Sequence, residues 1–364
     1  MFLFTPRGRS GSVGSVASTR RTSVSSDMES FRSRQPRMEG NLKWVDTLEC
    51  SHEVMCCRFH PEGNVLAVGQ ADGTIKVFNP DTGQLLHVLS DDETIHTHLP
   101  VTSINFVIAM AGDDKIEHSH ILMATYASGQ IKFWHYTSGS CIHTIHEVRQ
   151  TLTSAFTPST EKFITAGADS EIHVYDTESK RKVFTCEPSD SRDLMNGHRL
   201  RVFALKFHPY EPNIFISGGW DDTVQFWDLR QKGSTRSLFG PHICGDALDI
   251  DPVHNHILTG SWRKENTLQI WDFNNGAKIK DVPIDHMHSS LLYCAQWLGK
   301  DYMVCGGCDH NMAMVIDRGT LNVTGQVYDL PQGVYCVDST KTGAIHKLAI
   351  GSEHQVHIVK NEKK

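Results

Sequence analysis

Histidine and cysteine pairs are the residues whose spacing in this sequence could support metal chemistry. Histidines recur in the pattern H-x-H at residues 96/98, 118/120, 254/256 and 286/288, and Cys305 and Cys308 form a C-x-x-C pair. Two imidazoles or two thiolates at such spacing can share one metal ion. Neither pattern has a second half, because no other C-x-x-C follows and no acidic or cysteine partner stands at a diagnostic distance. We therefore predict no bound metal and no cofactor, and a metal-binding protein is the less favoured alternative.

The sequence contains no recognisable motif of catalysis. It has no nucleophile elbow, no phosphate-binding glycine loop and no H-E-x-x-H. Carboxylates do cluster in the stretch FISGGWDDTVQFWDLR, at Asp221, Asp222 and Asp228, where they could serve acid–base chemistry. That stretch is also one copy of a structural repeat, which gives two of the three a role in the scaffold. We predict that the protein is not an enzyme, and an enzyme with its site in the loops is the alternative.

Composition and charge narrow the class of protein further. The chain has 364 residues, 39% of them hydrophobic, and no run of apolar residues long enough to span a membrane. Its start is too short in apolar residues for a secretory signal, and ten scattered cysteines suit reduced thiols. Residues 1–38 carry a net charge of +5, which leaves −12 on the remainder. We expect an intracellular protein, in cytoplasm or nucleus, with no nucleic-acid or membrane partner.

The first forty residues differ in composition from the rest of the chain. They are rich in Ser, Gly and Arg and show no apolar periodicity, so we predict a disordered tail over residues 1–40. Ser23 follows an arginine pair and is a candidate phosphosite for a basophilic kinase. Three alternatives to a regulatory tail stay open: an inert or isoform-specific segment, a mitochondrial presequence, or a usual start at Met38.

The stretch from Phe215 to Arg230 recurs along the chain. Its core SGGWDDTVQFWD has clear partners at residues 164–176 and 258–272, and four weaker copies elsewhere. The residues equivalent to Trp227 are Phe78, Trp134, Tyr175, Trp271, Val315 and Val359. Their separations of 56, 41, 52, 44, 44 and 44 residues are near the ~40–45 residues of a repeat unit with four strands. The sequence therefore predicts seven repeats.

Each repeat contains the period-2 pattern of β-strands. Apolar Val224 and Phe226 alternate with polar neighbours in the best copy, and a polar turn separates them from the preceding apolar run. A further strand precedes each copy, at residues 54–59, 101–106, 152–156, 202–207, 247–250, 293–297 and 334–337. A histidine stands before most of these strands: His52, His98, His146, His198, His242 and His288. A fourth strand is expected after each anchor.

Residues 41–364 resemble the WD40 β-propellers, and the fourth repeat carries the resemblance best, with its GH pair at His198 and its WD pair at Trp227. The resemblance implies an all-β, seven-bladed propeller. It also implies a buried hydrogen-bonded chain through His198, Ser217, Asp221 and Trp227, which pairs every buried polar atom of that blade. The last repeat is one strand short, and residues 41–48 read as the strand that completes it and closes the ring.

Other blades depart from this pattern. The third blade keeps His146, Thr165 and Asp169, and Tyr175 takes the place of the tryptophan in its hydrogen-bonded series. The first and second blades lack some of these hydrogen-bonding residues, and we expect apolar packing to stabilise those two blades instead. The fifth blade has two extra residues in its turn, so that loop should project further.

Two groups of residues have no role in the structure of the repeat and are therefore candidates for binding. On the face that the family calls top, Trp220 and Trp262 occupy matching turns of neighbouring blades, and Arg199, Arg201 and Arg263 would surround them. They predict a groove for an apolar or acidic peptide, with both indoles packed against adjacent loops as the alternative.

Arg230 is the second feature, since it completes a sixteen-residue box that resembles those of WD40 substrate receptors of cullin-4 ubiquitin ligases. We predict a non-catalytic scaffold that binds other proteins, as a monomeric propeller within a complex. A ligase receptor is the alternative.

Overall fold

The computed structural model describes residues 35–108, 120–188, 195–283, 290–341 and 345–362. Within them, seven antiparallel sheets follow one another along the chain, which confirms the predicted seven-bladed propeller. Ser23 and residues 1–34 of the predicted tail lie outside the described residues. No helix within the described ranges is long and apolar enough to cross a membrane.

Blades one to five each consist of four consecutive strands, numbered from the channel outward. Blade one contains β3 (Val54–Phe59), β4 (Leu66–Gln70), β5 (Ile75–Phe78) and β6 (Leu85–Leu89). Blade two contains β7 (Val101–Phe106), β8 (Ile121–Tyr126), β9 (Gln130–His135) and β10 (Ser140–His146). Blade three contains β11 (Thr151–Phe156), β12 (Lys162–Gly167), β13 (Ile172–Asp176) and β14 (Lys182–Cys186). Blade four contains β15 (Val202–Phe207), β16 (Ile214–Gly219), β17 (Thr223–Asp228) and β18 (Arg236–Phe239).

The remaining blades keep the same order. Blade five contains β19 (Leu248–Asp251), β20 (His256–Gly260), β21 (Leu268–Asp272) and β22 (Lys278–Asp281). Blade six contains β23 (Leu291–Leu298), β24 (Tyr302–Cys308), β25 (Met312–Asp317) and β26 (Val323–Tyr328). Blade seven contains β27 (Val334–Ser339), β28 (Lys347–Ser352), β29 (Gln355–Asn361) and, from the start of the chain, β2 (Leu42–Glu49). The innermost strands contact one another in sequence, and β27 contacts β3, so the ring is closed.

Apolar packing between neighbouring sheets forms the core. One cluster joins Leu66 and Val68 of blade one to Ala349 and Ile358 of blade seven, all of them buried. Burial of each such large aliphatic side chain stabilises the fold by roughly 1.5–3 kcal/mol. The period-2 alternation of the sequence therefore places apolar residues where two blades face each other.

The two ends of the chain meet in blade seven, as the sequence predicted. Strand β2 pairs antiparallel with β29, in the register Leu48 to Val356. This pairing covers the outer edge of β29 and closes the ring non-covalently. It makes the stability of the propeller depend on residues that are about 300 positions apart in the sequence.

The predicted boundary of the tail at residue 40 requires a correction. Residues Arg37–Gly40 form a short strand, β1, which pairs with β26 as a fifth strand of blade six. Tyr328 and Gln326 donate hydrogen bonds from their side chains to the carboxylate of Glu39, at 2.6 and 3.1 Å. Composition alone missed this strand because its stability comes from the neighbouring edge and not from its own four residues.

One short helix, α1 (Asp92–Thr97), interrupts the β-structure between blades one and two. Asp91 accepts a hydrogen bond from the Thr94 amide, and the Thr94 hydroxyl accepts one from the Asp91 amide, which is a capping box. His98 ends the helix in the left-handed conformation, with φ of 46°. The expected role of His98 as a blade histidine is therefore corrected, since it serves as a helix cap.

Candidate functional site

The fourth blade contains the hydrogen-bonded chain that the resemblance implied. His198 Nδ1 donates to Asp221 Oδ2 at 2.9 Å, and the His198 Nε2 and Ser217 Oγ atoms are 2.6 Å apart. The Trp227 indole N–H donates to the same Ser217 Oγ at 2.7 Å. His198, Ser217 and Trp227 are fully buried. The chain crosses the blade from the turn after β16 to strand β17, so it fixes that turn and the residues next to it.

Asp221 is held ionised by its partners. Burial acts to raise the pKa of this carboxyl, but hydrogen bonds from His198, the Arg199 amide and the Thr223 hydroxyl outweigh burial and hold the pKa below its usual value. A carboxylate fixed in this way anchors the loop that carries Arg199 and Arg201. The scaffold thus positions the residues that the sequence marked as a binding surface.

The third blade uses a different residue from the one predicted. Glu147, and not His146, accepts the hydrogen bonds: from Thr165 Oγ1 at 2.7 Å, from His173 Nδ1 at 2.7 Å and from Tyr175 at 2.8 Å. Arg149 Nε adds a charged donor to Glu147 at 3.0 Å, whereas the His146 side chain is 63% exposed. The predicted members Thr165 and Tyr175 belong to the network, whereas Glu147 takes the place predicted for the histidine His146.

The second blade also departs from expectation. Lys132 is 1% exposed, and its ammonium lies 2.7 Å from both Asp91 and Glu93. Trp134 donates its indole N–H to the hydroxyl of Tyr126 at 3.1 Å. Packing alone was expected here, but an ion-pair network joins the blade to the helix cap. The two carboxylates lie about forty residues before Lys132 in the sequence, which is why the repeat pattern did not reveal the network.

Trp220 and Trp262 lie where the sequence placed them, in the turns after β16 and β20. Both residues are half-buried, and their indole nitrogens are fully buried. The ring centroids of Trp220 and Phe203 are 5.3 Å apart, and the indole nitrogen of Trp220 lies beside Cys244 of the next blade. The ring centroids of Trp262 and of Tyr293 in blade six are 6.4 Å apart. Part of each ring is therefore packed against the adjacent blade, as the alternative anticipated, and part contributes to the surface.

The three arginines near these tryptophans differ in their surroundings. The Arg201 guanidinium lies 5.5 Å from the Trp220 ring and donates to Gln150 at 2.9 Å. Arg263 pairs with Asp222 at 2.7 Å, and His242 contacts the same carboxylate at 2.7 Å. Arg199 is exposed beside Leu200, whose side chain is 51% exposed. The positive charge predicted for this surface is thus partly neutralised at Arg263, whereas the Arg201 guanidinium has a neutral partner in Gln150.

We refer to Arg199, Leu200, Arg201, Trp220, Trp262 and Arg263 as the top-face site. Aromatic residues that the sequence analysis did not select extend it toward the channel: Phe203 contacts Trp220, and Tyr293 contacts both Trp262 and Tyr335. Phe203, Tyr293 and Tyr335 each occupy a β-bulge of an inner strand. A bulge re-aims a side chain, and a strict period-2 interpretation of the strand cannot locate it.

Arg230 lies at the opposite end of β17 from Trp220, and its side chain is 70% exposed. Its guanidinium forms two hydrogen bonds to Asp228, Nε to Oδ1 at 2.8 Å and Nη2 to Oδ2 at 2.6 Å. Two of the five N–H donors of this guanidinium are therefore already engaged within the chain.

The candidate metal pairs are engaged in other contacts. Burial raises the pKa of the Cys305 thiol to about 12, which disfavours the thiolate that a metal needs. His254 contacts Asp251 at 2.8 Å, and His256 contacts Arg318 at 2.7 Å. No group of three potential metal ligands occurs among the described residues. His118, His286 and His288 of the other pairs lie outside the described ranges.

Comparison with known proteins gives relatives with the same repeat. A family profile described as the Vps8 beta-propeller matches residues 52–214. The chain is 27% identical over 273 residues to dynein axonemal intermediate chain 4 of Xenopus laevis, covering 67% of this chain and 35% of that protein. It is 30% identical over 176 residues to WD repeat-containing protein 25 of Mus musculus, covering 45% and 30%. It is 21% identical over 332 residues to autophagy-related protein 16 of Arabidopsis thaliana, covering 85% and 60%.

The chain thus spans between about a third and three fifths of the length of these relatives. Seven four-stranded blades around a closed ring define the class as a β-propeller. The His198 hydrogen-bonded chain and the WD-repeat relatives then place it among the WD40-repeat β-propeller proteins.

Proposed function

We propose that the chain is a non-catalytic scaffold that binds a partner protein through the top-face site. The observation that carries the proposal is the pair of tryptophans in matching turns of neighbouring blades, with Arg201 against one of them. Tryptophan and arginine dominate the energetics of protein interfaces because they combine apolar area with directed hydrogen bonds. The site is fixed from beneath by the Asp221 hydrogen bonds, so it needs little ordering when a partner binds.

The charges of the site indicate the chemistry of its partner. Arg201 has a neutral hydrogen-bond partner in Gln150, and Arg199 is exposed on the same loop. Leu200 exposes an apolar side chain between them. A partner segment with an apolar side chain next to a carboxylate would complement these three residues, because the arginines would pair with the carboxylate and the leucine would be buried.

Substitutions in the exposed part of the site test the proposal. Leu200→Asp and Arg201→Glu introduce repulsion toward an acidic partner, whereas Trp220→Asp would also disrupt the packing on Phe203. Tyr210→Asp is the matched control, because Tyr210 is 73% exposed at the opposite end of β15. Each full-length variant would be used to capture proteins from cells, with quantitative mass spectrometry. We expect proteins held by the wild type and by Tyr210→Asp to be lost with both top-face variants, and equal capture by all four chains would refute the site.

A receptor for a cullin-4 ubiquitin ligase is a second candidate function. Its support is Arg230, which completes the box and exposes 70% of its side chain on the bottom face. The pairing with Asp228 would have to be shared with, or replaced by, a carboxylate of the adaptor. Loss of adaptor capture in Arg230→Ala, with no loss in Arg181→Ala, would support this function. Absence of the adaptor from wild-type captures would eliminate it.

We also propose an intracellular location, because all ten cysteines of the chain are unpaired with one another. Reduced thiols persist in the cytosol and nucleus. Cell fractionation with a tagged chain would test this, and recovery from the medium or from a secretory compartment would contradict it.

A further inference from the structure

The outermost strands of the blades form the rim of the propeller. In blade six the fourth strand, β26, is covered, because β1 pairs with it as a fifth strand. Within the described ranges, the outermost strands of the other blades pair on one side only: β6, β10, β14, β18, β22 and β2. An unpaired edge presents backbone N–H and C=O groups to which a partner can add a strand. The pairing of β1 shows that the rim of this propeller can accept such an addition.

A β-bulge in the outer strand does not prevent this addition. In β26 the bulge lies at Thr324, and β1 pairs with residues 325–328, which follow it. The Thr324 carbonyl itself accepts a hydrogen bond from the Asn41 amide at 2.8 Å. Strand β6 has the same shift of register against its neighbour, with the bulge at Leu86. Residues 87–90 of blade one are therefore equivalent to the residues that β1 covers in blade six.

Strand β6 differs in composition from the other outer strands. Four of its five residues are aliphatic, and Leu85, Leu86 and Val88 are 43%, 37% and 48% exposed. At the level of Val88, the register of the other blades places Thr144, Thr185, Ser237, Asp281, Gln326 and Thr47. Val88 is the only aliphatic residue among these seven positions. Exposed edge strands are usually protected by charged side chains, and β6 contains no lysine, arginine or acidic residue.

The surroundings of β6 leave its outer edge accessible. Strand β6 pairs with β5 alone. The neighbouring turn of blade two has glycine at position 139, and even a Cβ there would lie 3.8 Å from the Val88 carbonyl oxygen. Lys76 lies opposite Val88 on β5, and Lys76 and Glu49 both act on the Cys50 thiol, so this cation has a carboxylate nearby.

The end of β6 that leads into helix α1 is acidic. Asp91, Asp92 and Glu93 follow the strand, and the ammonium of Lys132 lies 2.7 Å from the first and the third. His146 Nδ1 lies 3.6 Å from Glu93. Asp92 is exposed. Three carboxylates thus stand against one ammonium here, which favours a basic group in a partner.

The ends of β1 show which residues such a segment would need. At its start, Arg37 Nε lies 3.5 Å from Asp329 Oδ2, and Asp91 occupies the equivalent position after β6. At its end, Gly40 has φ of +81°, and a Cβ there would lie 2.1 Å from the Thr324 carbonyl oxygen. The bulge at β6 presents an equivalent carbonyl. A basic residue at the start and a glycine three residues later would therefore fit.

The middle of β1 differs from what β6 would accept. Glu39 stands opposite Gln326 and accepts hydrogen bonds from Gln326 and Tyr328. In blade one the residue equivalent to Gln326 is Val88, which has no side-chain donor. An apolar residue of the partner would bury the exposed part of Val88 at this position.

We propose that the outer edge of β6 binds an extended segment of a partner protein as a fifth strand of blade one. The segment contains a basic residue, any residue, an apolar residue and a glycine, in this order. Backbone hydrogen bonds hold it, the apolar side chain packs on Val88, and the basic side chain lies beside Asp92. This edge is separate from the top-face site, and neither requires the other.

A peptide derived from β1 tests this edge. It would have the sequence of residues 35–42 with the substitution Glu39→Val and a photoreactive analogue in place of Met38. The peptide would be irradiated with the full-length chain, and crosslinked residues would be mapped and quantified by mass spectrometry. The same peptide with Glu39 retained is the control for the apolar residue.

Three variants of the full-length chain complete the experiment. Val88→Lys places a charge on the edge, and Asp92→Lys reverses the charge beside it. The matched control is Val183→Lys, because Val183 is 56% exposed on β14, the outer strand of blade three. These three side chains are exposed, so each variant should fold, which urea unfolding would verify.

We expect crosslinks to residues 86–92 in the wild type and in Val183→Lys. The yield should fall about tenfold or more in Val88→Lys, which loses the apolar contact and repels the arginine of the peptide. It should fall about twofold to fivefold in Asp92→Lys at low salt, as for an exposed ion pair. The peptide that retains Glu39 should give a lower yield than the valine peptide.

Four results would overturn the proposal. The first is an absence of crosslinks to β6 in the wild type, and the second is an equal yield in Val88→Lys. Crosslinks to β26 instead would show that the peptide displaces β1. Self-association of the wild type that Val88→Lys abolishes would show that a second copy of the chain occupies the edge. An equal yield in Asp92→Lys would refute the basic residue of the segment.

Discussion

Replacement of Glu147 by glutamine should destabilise the propeller more than any change at an exposed carboxylate. The Glu147 side chain is 1% exposed, and it accepts hydrogen bonds from Thr165, His173, Tyr175 and Arg149. Glutamine has nearly the same shape but no charge, and its amide group cannot accept from all of these donors. Arg149, which is 7% exposed, would lose the carboxylate that it contacts at 3.0 Å.

The expected loss of unfolding free energy in Glu147→Gln follows from the removal of one partner of a buried ion pair. Such a change leaves an uncompensated charge and costs about 3–5 kcal/mol. Asp169 lies 2.5 Å from Arg149 and is 40% exposed, so it compensates part of the charge, and the lower end, about 3 kcal/mol, is the expected loss. Glu161→Gln is the control, because Glu161 is exposed and should change the unfolding free energy by less than about 0.5 kcal/mol.

Urea unfolding of wild type, Glu147→Gln and Glu161→Gln would measure these differences in unfolding free energy.

The dependence of the unfolding free energy on pH provides a second check. Burial acts to raise the pKa of Glu147, but His173 and Arg149 dominate and lower it, so the folded chain binds this proton less readily than the unfolded chain. The stability from Glu147 is then complete above about pH 4.3, the value of an unperturbed Glu, and declines as the pH falls toward the lowered pKa. The difference in unfolding free energy between wild type and Glu147→Gln should therefore become smaller as the pH is lowered. A loss below about 1 kcal/mol at pH 7, or a gap that widens in acid, would refute the role assigned to Glu147.

Three further substitutions test other parts of the scaffold. Trp227→Phe keeps the aromatic ring but removes the N–H that Ser217 accepts, and urea unfolding should show a loss of about 1–3 kcal/mol, whereas no loss would mean that the hydrogen-bonded chain does not clamp blade four. Gly40→Val should detach β1, because Gly40 has φ of +81° and a Cβ there would lie 2.1 Å from the Thr324 carbonyl oxygen; hydrogen exchange in β26 should rise, and unchanged protection would contradict the five-stranded blade. Lys132→Met leaves two partly exposed carboxylates without their cation and should lower the unfolding free energy by about 1–3 kcal/mol, while increased stability would show that the ion pairs cost more than they contribute.

The strands were predictable from sequence because they repeat and because their alternation reflects which face of each sheet is buried. The starts of β3, β7 and β15 coincide with the predicted residues, and the closing strand β2 was found from the missing strand of the last repeat. The fourth-blade chain was likewise predictable, since its residues have fixed positions relative to Trp227. The sequence repeats were therefore sufficient to predict the fold and the hydrogen-bonded network of the fourth blade.

What the sequence could not supply depends on contacts between distant parts of the chain. Glu147 replaced His146 because a carboxylate can accept from several donors at once, and no repeat pattern reveals which of two neighbouring polar residues points inward. The ion pairs of Lys132 could not be predicted for a similar reason, since both carboxylates belong to helix α1 and its cap, outside the repeated strands. The bulges that aim Tyr293 and Tyr335 into the channel appear only once strands are paired.

Site-specific photo-crosslinking in cells tests the central claim most directly. A photoreactive amino acid would replace Leu200 in the top-face site of the full-length chain and, in a second version, Tyr210 at the opposite end of β15. We expect a discrete crosslinked partner at position 200 that is absent at position 210 and that disappears with Arg201→Glu. A partner crosslinked only at position 210, or equally at both positions, would contradict binding through the top face.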